Sequence, residues 1–119
     1  MAYILLAEDN ASVREYATRG LESFGHKVVA VVDGAEALEL LKLEKFDLLL
    51  TDIVMPVMDG IALALAAADV AADMPILMMS GYAQERQRAH NLNSLISEVL
   101  SKPFTLGELR SAIDQLLQG

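Results

Sequence analysis

Three carboxylates, one hydroxyl and one ammonium group hold corresponding places in this chain, each directly after a short apolar run. Glu8 and Asp9 follow Tyr3-Ile4-Leu5-Leu6-Ala7, and Asp52 ends Leu48-Leu49-Leu50-Thr51-Asp52. Ser80 follows Ile76-Leu77-Met78-Met79, and Lys102 follows Glu98-Val99-Leu100-Ser101. Carboxylates crowded together repel one another and shift upward in pKa unless something neutralises them. Oxygen-only donors, with no cysteine in the chain and neither histidine close in sequence to the acids, suit Mg²⁺. Such an ion keeps several waters and leaves room for a phosphoryl group. Lys102 offers a compact positive charge for Asp52 and for phosphate oxygens, and Ser80 offers a hydroxyl donor. The set resembles a phosphoryl-transfer site, where positioning and charge neutralisation supply most of the catalysis. Asp52 would be the nucleophile and its product an acyl phosphate.

Each piece alone has an ordinary structural reading. Glu8-Asp9-Asn10 suits the start of a helix, Ser80-Gly81 is a common turn, and Lys102-Pro103 stops a helix. Their conjunction at four strand ends is what favours chemistry.

The elements that must position them read as an alternation. Strands are expected at Tyr3 to Ala7, Val28 to Val32, Phe46 to Asp52, Ile76 to Met79 and Glu98 to Leu100. Between the first two, Val13, Tyr16, Ala17, Leu21 and Phe24 form one helical stripe, with Asn10 as N-cap and Gly25 just past the end. Asp33-Gly34-Ala35-Glu36 resembles a capping box opening a helix through Leu38 and Leu41. Ile61 to Ala72 is an alanine-rich helix, and Ala83 to His90 reads as a polar one. Leu92, Leu95, Ile96, Val99 and Leu100 also fit a helical stripe, but the rhythm of alternation predicts a strand at Glu98 to Leu100. Thr105-Leu106-Gly107-Glu108 is a capping box for a last helix with the stripe Leu106, Leu109, Ile113, Leu116 and Leu117. Near-continuously apolar strands joined by helices imply an α/β fold, a doubly wound five-stranded parallel sheet with five helices. Ligands in such sheets bind beyond the carboxyl ends of the strands.

Composition bounds the rest. With 119 residues, 54% of them apolar, the chain is expected to be a single domain with a packed core. The net charge of −8 argues against direct nucleic-acid binding, which needs a basic face. The longest apolar stretch, Ile61 to Ala68, is too short to insert in a membrane. Zero cysteines and no visible leader fit a reducing, cytoplasmic setting. His26 and His90 have no metal-ligand spacing and are expected at the surface.

Glu8-Asp9, Thr51-Asp52-Ile53-Val54-Met55-Pro56-Val57-Met58-Asp59-Gly60, Ser80-Gly81 and Lys102-Pro103-Phe104 together make the chain resemble the CheY-like receiver domains of two-component response regulators, along its whole length. The resemblance implies that Asp52 accepts a phosphoryl group from a histidine kinase or histidine phosphotransfer protein. It also implies that Asp9, Asp52 and the Val54 carbonyl hold Mg²⁺ with Glu8 acting through water, that Ser80 swings toward the phosphoryl group, and that Lys102 binds it. A cis Lys102-Pro103 bond and a kinase-docking surface around Val13, Tyr16 and Phe104 are implied as well. Family members usually carry an aromatic residue three positions before the lysine; here that position is Val99, so the usual hydroxyl–aromatic coupling does not carry over. Tyr82 is the candidate substitute. With no output domain in view, the chain is most similar to the CpdR-like single-domain regulators, which act as adaptors for regulated proteolysis. The downstream partner would then be a protease or its adaptor. Arg86, Arg88, His90, Asn91 and Arg110 form the candidate output face.

Two alternatives share the site. A passive phosphorelay intermediate would use the same chemistry with different partners. An aspartate-nucleophile phosphatase commonly carries a second aspartate two residues after the nucleophile, where this chain has Val54.

Overall fold

Strands apolar from end to end need cover on both faces, and both faces are covered here. The computed structural model describes residues 1–81 and 96–118. Strands β1 (Tyr3–Ala7), β2 (Lys27–Val31), β3 (Leu48–Asp52), β4 (Ile76–Ser80) and β5 (Glu98–Ser101) form one sheet in the order β2-β1-β3-β4-β5. All four pairings are parallel. Helices α1 (Ala11–Ser23), α2 (Gly34–Leu43), α3 (Gly60–Val70) and α4 (Leu106–Gln118) complete the described elements. The expected helix at Ala83 to His90 lies outside the described residues.

Alternate side chains of each strand enter different cores. Ile4, Leu6, Leu48, Leu50, Leu77 and Met79 pack with Ala17 and Leu21 of α1 and Leu109 and Ile113 of α4. Leu5, Ala7, Leu49 and Met78 pack with Ala37 and Leu41 of α2 and Leu63, Ala64 and Ala67 of α3. Leu48, Leu49 and Leu50 are completely buried, each stabilising the fold by about 2 kcal/mol through burial. The central strand that ends in Asp52 is therefore firmly anchored.

Local signals read from the sequence act as expected at the helix starts. The Asn10 side chain accepts from Val13 N, and Gly25 follows α1 with φ +93°. Thr105 and Glu108 bond each other's backbone N–H reciprocally, at 3.1 and 2.9 Å. At α2 only half the box forms as drawn: Asp33 accepts from Glu36 N, while Glu36 turns to the N–H of Val32. Several boundaries shift. β2 starts at Lys27 and leaves Val32 exposed, β3 starts at Leu48 with Phe46 buried ahead of it, and α3 stops at Val70. β4 runs on through Ser80, and β5 through Ser101.

The loop after β3 returns tightly to its own strand. Gly60 N donates to Ile53 O at 2.8 Å, and a Cβ at Gly60 would run into the Asp52 carbonyl oxygen. Within the loop, Met58 N donates to Pro56 O at 2.8 Å while Val57 sits at φ +69°. A three-residue turn with a β-branched centre in the left-handed region is strained, at a cost of about 1–3 kcal/mol. Val57→Gly is therefore expected to raise stability by about 1 kcal/mol, seen as a higher urea midpoint with unchanged slope. An unchanged or lower midpoint would show the turn to be unstrained.

His26 is half-buried rather than at the surface. Its Nδ1 accepts from the Ala2 N–H at 3.1 Å, which ties the start of β1 to the loop after α1. Burial, then the N-terminal ammonium, hold its pKa below the ordinary value; Asp114 opposes this and Arg110 adds to it. The folded chain thus binds this proton more weakly than the unfolded one. Stability should be intact above pH of about 6.5 and decline as pH falls below it. Thermal unfolding across that range should show the decline in wild type and a shallower one in His26→Asn.

Candidate functional site

Sheet register alone brings the strand tips level. Ala7 pairs with Thr51, so Glu8 stands beside Asp52; Asp52 in turn pairs with Met79, and Ser80 with Ser101. Lys102 follows at once, and its N–H donates to Ser80 O at 2.7 Å.

The ammonium of Lys102 reaches back across β4 to the acids. Nζ lies 2.8 Å from Glu8 Oε1 and 3.0 Å from Asp52 Oδ2. Glu8 is fully buried and Asp52 only 6% exposed, so these charges could not persist without their partner. Glu8 is held on every side: its N–H donates to Val31 O, and its Oε2 accepts from Asn10 N at 3.1 Å. Asp52 Oδ1 accepts from Ile53 N at 3.0 Å. Burial lowers the Lys102 pKa, but the hydrogen bonds and charges of Glu8 and Asp52 outweigh it, and the net direction is upward. Asp9 is exposed, yet its carboxyl is raised, first by partial desolvation and then by the hydrogen bond and charge of Glu8.

Ligand oxygens of Glu8, Asp9 and Asp52 all lie within 4.8 Å of one another. One shared ammonium against three carboxylates leaves the pocket net negative. Three hard oxygen donors with surplus charge fit Mg²⁺ well, and a cation would relieve the crowding that raises Asp9. A cavity of about 600 Å³ opens beside them, with Val13, Tyr16, Asp52, Val54, Lys102 and Phe104 in its lining. The Tyr16 and Phe104 rings are 6.0 Å apart, and Tyr16 Oη donates to Phe104 O at 3.4 Å. The Lys102-Pro103 bond is cis.

Every residue singled out for chemistry thus falls at this edge: Glu8, Asp9, Asp52, Ser80 and Lys102, with Val54 exposed on the loop beyond. Ser80 is buried at the tip of β4. Val99 is half-buried in β5 and packs against the α2/α3 core. Tyr82, Arg86, Arg88, His90 and Asn91 lie outside the described residues. Arg110 is exposed on α4, 3.7 Å from Asp114 and with its guanidinium 5.0 Å from the Phe24 ring centre. Sequence reasoning passed over Arg14, whose Nη1 donates to the carbonyls of Glu8 and Asp9. The signal was there: a cation in the first turns of a helix opposes the helix dipole.

The family model described as the response regulator receiver domain matches residues 4–114. The chain belongs to that family. Over 117 residues it is 42% identical to the response regulator receiver protein CpdR of Brucella abortus, covering 98% of both chains. It is 34% identical to the response regulator MprA of Mycobacterium leprae, spanning half of that longer protein. Among solved structures, the receiver domain of the sensor histidine kinase PA1611 from Pseudomonas aeruginosa, with magnesium in its active-site cleft, superposes with a TM-score of 0.91 at 27% identity. That match covers 99% of this chain and 98% of the other. The Vibrio cholerae chemotaxis protein CheY4 gives a TM-score of 0.90 at 28% identity, covering 98% and 99%. The receiver fold expected from the strand-end motifs is therefore the fold observed, and receivers work as phosphorylation-dependent switches rather than as turnover catalysts. No helix among the described residues is long and apolar enough to cross a membrane.

Proposed function

We propose that this receiver takes a phosphoryl group on Asp52 from a histidine kinase or histidine phosphotransfer protein and thereby switches a protein–protein contact in a cytoplasmic two-component pathway. The observation that carries the reading is the Lys102 ammonium held between buried Glu8 and Asp52, beside the exposed carboxylate of Asp9. Asp52 is the nucleophile: its carboxylate oxygen forms the new P–O bond as the donor's bond to phosphorus breaks. Its Oδ1 is fixed by Ile53 N, and its Oδ2 exchanges the Lys102 contact for one shared with the phosphoryl oxygens. Glu8, Asp9, Asp52 and the Val54 carbonyl are the groups that would hold Mg²⁺. The ion supplies neutralisation of the charge that grows on the transferring group. Ser80, at the tip of β4, donates its hydroxyl to the phosphorylated site.

Full-length identity to CpdR supports the finer reading, that the switched contact is that of an adaptor in regulated proteolysis. With Val99 at the position where an aromatic ring is usual, the readout runs through Ser80 and β5 rather than through a ring at that site. The test is a pull-down comparing wild type, Asp52→Ala, and wild type treated with a phosphate mimic. Recovery of a protease component or adaptor from one state only supports the reading, and equal recovery from all three overturns the switch.

A further inference from the structure

Arg14 sits where an ordinary helix would not put it. It occupies the fourth position of α1, a helix with no acidic residue in its first turn, so its charge adds to the positive end of the dipole. Positive charge there also lies beside a site that attracts cations. The first opposes the helix and the second opposes cation binding, and a residue kept against a local rule tends to mark a functional constraint.

The hydrogen bonds show what is gained. Arg14 Nη1 donates to Glu8 O at 2.9 Å and to Asp9 O at 3.3 Å, while its own N–H donates to Asn10 O at 2.9 Å. One side chain therefore gathers two consecutive carbonyls of the turn between β1 and α1. With Glu8 N tied to Val31 O and Glu8 Oε2 to Asn10 N, the peptide planes on both sides of Asp9 are set. Asp9 is the one exposed member of the acidic cluster, and no packing restrains it as burial restrains Glu8 and Asp52.

We infer that Arg14 is a positioning residue for the cation site: its paired hydrogen bonds to the Glu8 and Asp9 carbonyls hold the turn so that the Asp9 carboxylate faces Asp52. The inference rests on the reading of the acidic cluster as a Mg²⁺ site. It makes a signed prediction, because charge and positioning act in opposite directions. Removing a neighbouring positive charge should tighten Mg²⁺ binding if charge is all that matters. Losing the hold on the turn should weaken it, by about 10-fold, as outer groups around metal ligands commonly do.

The experiment is calorimetric titration of the intact protein with MgCl₂, using wild type, Arg14→Met, Arg14→Lys and Asp9→Asn, with urea unfolding of each in Mg²⁺-free buffer. Arg14→Met should bind about 10-fold more weakly. Arg14→Lys keeps donors and should recover most of the affinity, and Asp9→Asn should bind least. Should Arg14→Met fail to fold, Arg14→Gln, too short to span both carbonyls, takes its place with the same expectation. Affinity equal to or above wild type in the Met or Gln variant overturns the inference while leaving the Mg²⁺ site intact. A wild type that binds no Mg²⁺ overturns both.

Discussion

Asp52→Asn is expected to reduce phosphoryl incorporation from acetyl phosphate to background, with the fold retained. The amide keeps the shape of the carboxylate and can still accept from Ile53 N, but it offers no nucleophilic oxygen anion. Wild type should incorporate one phosphoryl group per chain only when Mg²⁺ is present, seen by intact-protein mass. The matched control is Asp9→Asn, which leaves the nucleophile in place and removes a cation ligand, so its labelling should become weak and dependent on high Mg²⁺. Full labelling of Asp52→Asn would place the acceptor elsewhere and end the proposal. Turnover of small phosphate esters by wild type would instead favour the phosphatase reading, against which stands the apolar Val54 two residues beyond the nucleophile.

Lys102→Met carries the second large effect, and it falls on stability. Deleting the ammonium leaves Glu8 fully buried with no cation and strips Asp52 Oδ2 of its 3.0 Å contact. Breaking one side of a buried ion pair costs about 3–5 kcal/mol, a large share of a small domain's total. A much lower urea midpoint is expected at neutral pH. Adding Glu8→Gln should recover part of it, because a neutral amide does not need the lysine and can still accept from Asn10 N. Mg²⁺ should stabilise Lys102→Met more than wild type, since the ion supplies charge that the variant lacks. A Lys102→Met midpoint matching wild type would show that the contacts to Glu8 and Asp52 contribute nothing net.

The features legible in the sequence were those that depend on chain order alone. An apolar run ending in an acid, a serine or a lysine is a strand tip wherever the strand lies in the sheet, and parallel pairing puts all such tips on one edge. Asn10, Thr105 and Glu108 were readable for the same reason, because caps act within a few residues. What escaped depends on segments meeting in space. The Gly60–Asp52 approach is invisible until the loop folds back, and Gly60 reads only as a turn residue. His26 reads as a surface histidine until the N-terminal segment lies against it. The complete burial of Glu8 likewise follows from its neighbours, for the sequence marks it as a strand-end acid without showing that it is enclosed. Strand ends drifted for a related reason: Phe46 is as apolar as a strand residue, but it packs against the Tyr3 ring, stacked at 4.4 Å, ahead of the ladder.

The two charged partners at the heart of the pocket are mounted on supports of unequal firmness. β3 has a neighbour on each side and five buried residues, whereas β5 is an edge strand, paired among the described residues with β4 alone, with three half-buried residues and an exposed fourth. Amide hydrogen exchange should therefore be slowest along Leu48–Asp52 and markedly faster along Glu98–Ser101. If Asp52 takes up charge as proposed, the strand expected to adjust is the edge strand that carries Lys102 rather than the central one that carries the aspartate.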